Sequence, residues 1–246
     1  MLAIESPFVH RAARPRPAVR LVCLPYAGGG ASVFDDWPDL LPERVEPLAI
    51  QLPGREERQA EEPFTALAPL VRVLTQVLRP YLQVPVALFG HCAGSLLAFE
   101  LARELRRRLD ADVRHLFVAS HAAPDVPIPG QGIHRLPDDQ LKERLREIGG
   151  TPDVVLANAE LLDFLLPALR ADFALWEGYR WGDGAPLACP VTAFGGRWDT
   201  GLDAGELEAW RRHALGAFRL RILEGGHFLV SDAASELTGA IAEELP

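Results

Sequence analysis

Between Pro85 and Gly94 the chain passes from an apolar run, Pro85–Phe89, through Gly90-His91-Cys92-Ala93-Gly94 and straight into a helical pattern beginning at Ser95. One small polar side chain with glycine two residues to either side belongs to a sharp strand-to-helix turn, where only glycine lets neighbouring backbone pass without a clash. A chain carrying this unit has to build a sheet whose strands feed directly into helices.

The rest of the sequence repeats that rhythm. Strands are predicted at Val19–Leu24, Val45–Leu52, Pro85–Phe89, Val113–Ser120, Val191–Phe194 and Phe218–Leu223. Most are apolar on successive positions instead of alternating, as in parallel strands covered on both faces. Helices are predicted between them: Ala66–Leu78, Leu96–Leu109 with leucines every four residues, Glu206–Ala214 and Ala234–Leu245. The expected fold is α/β, a mostly parallel sheet with helices on both faces. Neither a repeat nor a linker divides the 246 residues, so one domain spanning 1–246 is expected. About 70 residues between Ser120 and Pro190 lack a strand pattern and carry helical patterns at Leu136–Ile148 and Glu160–Tyr179, joined by Gly149, Gly150, Thr151 and Pro152. This predicts a helical lid insertion over roughly 122–185, near the strand ends where such folds place their sites.

Composition narrows the partners. A formal net charge of −9 argues against nucleic acid or an anionic membrane surface. No apolar run nears the roughly 20 residues that cross a bilayer, and the Arg- and Pro-rich start has no secretory pattern, so a cytoplasmic location is expected. Three scattered cysteines, Cys23, Cys92 and Cys189, suggest neither a disulfide framework nor a metal site. No cofactor is called for, and a monomer is the simpler expectation.

The glycine-flanked turn is a nucleophile-elbow pattern with Cys92 as nucleophile. Strain and the helix N-terminus present the side chain and favour a thiolate, and the Ala93 amide points at a developing oxyanion. The glycine-rich turn Leu24-Pro25-Tyr26-Ala27-Gly28-Gly29-Gly30, following the first long strand, offers Ala27 as the second oxyanion donor. It lacks the spacing of a dinucleotide loop. Of seven histidines, His227 in Glu224-Gly225-Gly226-His227-Phe228 lies just past the last strand and is the predicted base. His121 ends a strand and could line the pocket, His10 falls at an irregular terminus, His115 lies inside a strand, and His134 and His213 occupy polar surroundings. The orienting acid should fall between nucleophile and base in the chain. Asp199 fits best, with Asp203 the fallback.

Taken together, these residues resemble the type II thioesterases of polyketide and nonribosomal peptide synthesis, which have the α/β-hydrolase fold. The likeness runs through Pro25-Tyr26-Ala27-Gly28-Gly29, Gln51-Leu52-Pro53-Gly54-Arg55-Glu56, the Cys92 elbow, Leu136-Pro137-Asp138-Asp139, Leu169-Arg170-Ala171-Asp172-Phe173 and Gly225-Gly226-His227-Phe228. The Gln51–Glu56 stretch is the more diagnostic, because elbows occur across the superfamily. The resemblance implies hydrolysis of acyl groups from the phosphopantetheine thiol of acyl or peptidyl carrier domains. It assigns Cys92, Asp199 and His227 as the triad, Ala27 and Ala93 as oxyanion donors, and a helical lid between strands six and seven. Two departures stand out: the family nucleophile is usually Ser, and Met often follows it where this chain has Ala93.

Two alternatives belong to other classes. An acyltransferase would pass the Cys92-bound acyl group to an amine or alcohol, since a thioester intermediate is readily aminolysed. A non-catalytic carrier-binding module would leave the triad idle. Dienelactone-type hydrolysis, also run by a Cys elbow, would make the Gln51–Glu56 match accidental.

Overall fold

The computed structural model describes residues 1–127, 132–148, 151, 153–182 and 184–246. Its eight strands are β1 (Ala3–Ser6), β2 (Val9–Arg11), β3 (Val19–Leu24), β4 (Val45–Ile50), β5 (Val86–His91), β6 (Val113–Ala119), β7 (Val191–Gly196) and β8 (Phe218–Leu223). They form one sheet in the order β1-β2-β4-β3-β5-β6-β7-β8. From β4 to β8 all neighbours are parallel, and β1 and β2 close one edge antiparallel. This is the α/β-hydrolase sheet, with the elbow strand β5 in its interior.

Continuous apolar strands arise because each of β3 to β7 feeds two cores. In β3, Val22 and Leu24 face a core shared with helices α2 (Leu67–Leu78) and α3 (Ala93–Leu109). Val19, Leu21 and Cys23 face the opposite core. There Trp37, at the start of α1 (Trp37–Leu40), and Leu237 and Ile241 of α9 (Ala234–Glu243) pack against Phe89 of β5. Helix α3 runs from the elbow along the sheet, burying Leu97, Leu101 and Leu105 on one stripe. It stops at Asp110 in the left-handed conformation (φ 48°), with Arg106, Arg107 and Arg108 in its last turn complementing the helix dipole.

Between β6 and β7 the chain leaves the sheet and forms α4 (Asp138–Ile148), α5 (Asp153–Leu156) and α6 (Ala159–Glu177). These helices have an apolar cluster of their own, including Ile133, Leu141, Leu145, Leu162 and Leu166. Polar ties hold the unit together. The Glu177 carboxylate accepts from the amides of Gly132 and Ile133 at 2.9 and 2.8 Å and pairs with His134. Arg170 donates to the carbonyls of His134 and Leu136 at 2.6 and 2.8 Å. Gly149, Gly150 and Pro152, expected to join two helices here, lie outside the described residues.

The structure corrects the sequence reading in three places. The N-terminal segment is not irregular: His10 belongs to β2, paired in register with Ala49. What recruits this Arg-rich stretch is Glu46 of β4. Its fully buried carboxylate accepts from Arg20 Nε at 2.6 Å, Arg14 N at 2.8 Å and Arg11 Nη2 at 3.0 Å. Burial alone would raise the pKa of Glu46, but these donors bring it below the usual carboxylate range. His213 is not in polar surroundings but buried among Phe99, Trp181 and Trp210, with its ring Nε2 2.8 Å from Asp125 Oδ1. The helix expected over Glu206–Ala214 is a short α7 (Ala204–Glu208) running into a 3₁₀ turn over Ala209–His213. A last short helix, α8 (Leu229–Asp232), precedes α9. No described helix is long and apolar enough to cross a membrane.

Candidate active site

Cys92 occupies the bend between β5 and α3 with φ 51° and ψ −124°, a left-handed backbone that an L-residue adopts only under constraint. The constraint is visible. Cys92 N donates to Ala119 O at 2.8 Å, and its own carbonyl accepts from Ser95 N at 2.8 Å. Ser95 Oγ returns to Gly90 O at 2.9 Å. The flanking glycines are steric necessities: a Cβ on Gly90 would strike the Gly94 carbonyl, and one on Gly94 would lie 2.5 Å from the carbonyl oxygens of Leu24 and Pro25.

His227 follows β8, and its Nδ1 lies 2.9 Å from Asp199 Oδ2. Asp199 comes from the turn after β7, and its other oxygen accepts from Gly201 N at 3.0 Å. Asp203, the fallback acid, instead caps α7, accepting from Glu206 N at 2.9 Å. With the His227 Nδ1 proton directed at Asp199, Nε2 is left facing the elbow, buried and without a conventional hydrogen-bond partner among the described residues. Burial opposes charge on this ring. The adjoining Cys92 sulfur and the Asp199 carboxylate outweigh it, pushing the His227 pKa up to about 10. Burial likewise works against ionisation of Asp199, yet the hydrogen bond and charge of His227 bring its pKa below the usual value.

Two further histidines surround the ring, and their partners fix their tautomers. His91 is fully buried, with Nε2 2.8 Å from the His227 carbonyl oxygen. It must donate there, so its proton sits on Nε2. Ser120 Oγ donates to the same carbonyl at 2.8 Å, so two side chains hold the backbone of His227. Burial chiefly, and then the charge of His227, lower the His91 pKa to about 3. His121 accepts from Trp176 Nε1 at 2.7 Å on its Nε2 and so carries its proton on Nδ1, directed at Ala122 O at 2.6 Å. Burial lowers its pKa to about 4. Both rings are neutral near pH 7, whereas His227, raised to about 10, holds its proton there.

Cys92 and His227 both open onto a cavity of about 390 Å³, as do Ala27 and Ala93. Its walls are mainly apolar, with Leu96, Val126, Ile133, Phe173, Trp176 and Leu202 among them. Among the described residues, neither the Ala27 nor the Ala93 amide donates to another protein group. A larger groove of about 640 Å³ runs along α2, α3 and the end of α6. It contains neither Cys92 nor His227 and shares only Tyr179 with the first, so the residues expected as nucleophile and base meet at the smaller cavity. No group of three or more potential metal ligands occurs among the described residues.

Sequence reasoning missed the role of His91, whose neighbours are 136 residues away, and the joint role of Arg55 and Asp172. Arg55 forms a bidentate pair with Asp172 at 2.7 and 2.9 Å across 117 residues of chain. Both lie in stretches that carried the family resemblance, which was the one signal that could have singled them out.

Comparison with known proteins gives one consistent picture. The thioesterase domain family matches residues 19–245. Gramicidin S biosynthesis protein GrsT of Aneurinibacillus migulanus is 40% identical over 97% of this chain and 93% of its own length. Thioesterase PikA5 of Streptomyces venezuelae is 38% identical over 94% of this chain and 82% of its own. The solved structure of BorB, the type II thioesterase from the borrelidin biosynthetic cluster, superposes with a TM-score of 0.90 at 36% identity, covering 99% of this chain and 100% of that one.

Proposed function

The chain belongs to the thioesterase family, and from that premise we propose that Cys92, His227 and Asp199 form its catalytic triad, with the amides of Ala27 and Ala93 as oxyanion donors. The protein is a type II thioesterase of the nonribosomal peptide and polyketide class, which hydrolyses acyl groups from the phosphopantetheine thiol of acyl or peptidyl carrier domains. Hydrolysis, and not transfer to an amine or alcohol, is the reading that its relatives favour.

The observation that carries the catalytic assignment is the line from Asp199 Oδ2 through His227 Nδ1, with Nε2 turned toward Cys92 at the wall of an apolar cavity. Cys92, its proton held on His227 Nε2, attacks the thioester carbonyl. The carbonyl oxygen, now an anion, is met by the Ala27 and Ala93 amides. Collapse expels the pantetheine thiolate, which takes the proton from His227. Water, deprotonated by His227, then attacks the Cys92 thioester and releases the carboxylic acid. Asp199 holds the tautomer and stabilises the imidazolium throughout.

Because the acyl-enzyme is itself a thioester, the first transfer is nearly balanced in energy and deacylation limits turnover. Helices α4 to α6 serve as a lid, since Ile133, Phe173 and Trp176 of that insertion wall the cavity where the acyl chain lies. Intact-mass spectrometry after mixing with an acyl-pantetheine tests the proposal. An acyl adduct on Cys92, free acid as product and loss of both in Cys92→Ala are expected. Turnover surviving in Cys92→Ala refutes the nucleophile, and an amide product in the presence of added amine indicates the transferase.

A further inference from the structure

An oxyanion donor works only if it is held in place before charge develops, and Ala27 lies in a loop followed by three glycines. The structure shows what stiffens that loop. Gly28 N, the amide next to that of Ala27, donates to Asp172 Oδ2 at 2.7 Å. The same oxygen accepts from Arg55 Nη1 at 2.7 Å, while Oδ1 accepts from Arg55 Nη2 at 2.9 Å. Arg55 Nη1 also donates to Gly29 O at 3.2 Å, so the pair grips the loop by an amide and by a carbonyl. Arg55 is 2% exposed, and Gln51 braces its backbone by donating to Arg55 O at 3.1 Å while accepting from Ala31 N at 2.6 Å. Gly28 has φ 79°, and a Cβ there would meet Leu169 of α6 at 2.7 Å, so helix and loop are in close contact.

We propose that Arg55 and Asp172 are positioning residues that hold the Ala27 amide on the oxyanion and make completion of that site depend on α6 being docked. This rests on the Cys92 acyl-enzyme reading above. Neither side chain is needed at the reacting atoms, because both oxygens of Asp172 are already engaged by Arg55 and Gly28. Net stability is a poor reason for such a pair, since buried ion pairs are often replaceable by apolar residues without loss. Their location is a better one: Asp172 sits on the insertion, Arg55 on the loop after β4, and the oxyanion turn lies between them. The bidentate fork needs guanidinium, and the point charge of lysine cannot reproduce it.

Arg55→Lys, Asp172→Asn and the apolar double variant Arg55→Met/Asp172→Leu test this, with kcat, KM, thermal midpoint and inhibition by a trifluoromethyl ketone analogue of acyl-pantetheine as readouts. The adduct of that analogue on Cys92 presents an oxyanion. Expected for each is a kcat loss of roughly 10- to 100-fold with KM little changed, matched by weaker ketone inhibition, while the fold persists. The double variant should be about as slow as either single one, because the two groups act as a unit. Three results would overturn the proposal: kcat retained, a loss confined to KM, or a lowered thermal midpoint with normal turnover by the folded fraction. A wild-type protein that forms no acyl adduct on Cys92 overturns the underlying catalytic reading as well. An adduct in the wild type, with variants equally fast, overturns the positioning role alone.

Discussion

Nε2 of His91 donates to the carbonyl oxygen of His227 across 2.8 Å, tying the residue before the thiol to the backbone of the residue assigned as base. His91→Ala removes that buried donor and leaves Ser120 as the other side chain on the carbonyl. Losing one buried hydrogen bond costs about 1–3 kcal/mol. We expect kcat to fall roughly 10- to 100-fold with KM little affected, at about 1.4 kcal/mol per tenfold. Unchanged steady-state kinetics in a folded His91→Ala protein would remove His91 from the site.

Asp199→Asn keeps the shape of the acid but offers an amide where His227 Nδ1 now donates to Oδ2. The wrong tautomer should then turn a protonated Nε2 toward Cys92. A kcat loss of roughly 10²- to 10⁴-fold follows. Asp203→Asn, at the α7 cap, serves as the control, with near-wild-type turnover and a slightly lower thermal midpoint.

Stability should depend on pH in a definite sense. The pKa values of His91, His115 and His121 are lowered from 6.5 to about 3, 4 and 4, each chiefly by burial. Between about 4 and 6.5 the unfolded chain therefore binds more protons than the folded one. The stability these rings contribute is complete above about 6.5 and is lost as pH falls, by at most roughly 4 kcal/mol per pH unit for three rings. His227 acts the other way. Its pKa, raised to about 10, gives stability that is present below 6.5 and fades as pH climbs. Urea midpoints should peak near neutrality and fall toward pH 5, and a flat profile from pH 7 to 5 would contradict the buried neutral rings.

Gly94→Ala forces a Cβ to within 2.5 Å of the Leu24 and Pro25 carbonyl oxygens. Relief requires the end of β3 or the start of α3 to move, at about 1–3 kcal/mol. Since the proposed oxyanion donors lie at the start of α3 (Ala93) and three residues past β3 (Ala27), turnover should fall together with the thermal midpoint. Calorimetry alongside kinetics checks this, and a variant as stable and fast as the parent would show that the approach is slack.

Six strands were legible: β3 to β7 because they are apolar enough to be buried on two faces, and the edge strand β8 because Phe218, Leu220 and Ile222 alternate with Arg219 and Arg221. The β1–β2 edge was not. Three residues, Val9–Arg11, carry no periodicity, and their place in the sheet is set by Glu46, far along the chain. Of the site, the chain order of Cys92, Asp199 and His227 and the loops that carry them could be read directly from strand ends. Ring directions could not: His91 and His121 differ from His227 only in which distant carbonyl or indole each one meets. His213 looked polar because its neighbours in sequence are, although its neighbours in space are aromatic.

The apolar cluster under α4 to α6 is separate from the two cores that flank the sheet. An insertion with its own interior can be recut by mutation without disturbing the scaffold that carries the sulfur, the ring and the carboxylate. New cargo shapes then become accessible through changes at positions such as Phe173 and Ile133, provided Asp172 of the same insertion keeps its hold on Arg55 and Gly28.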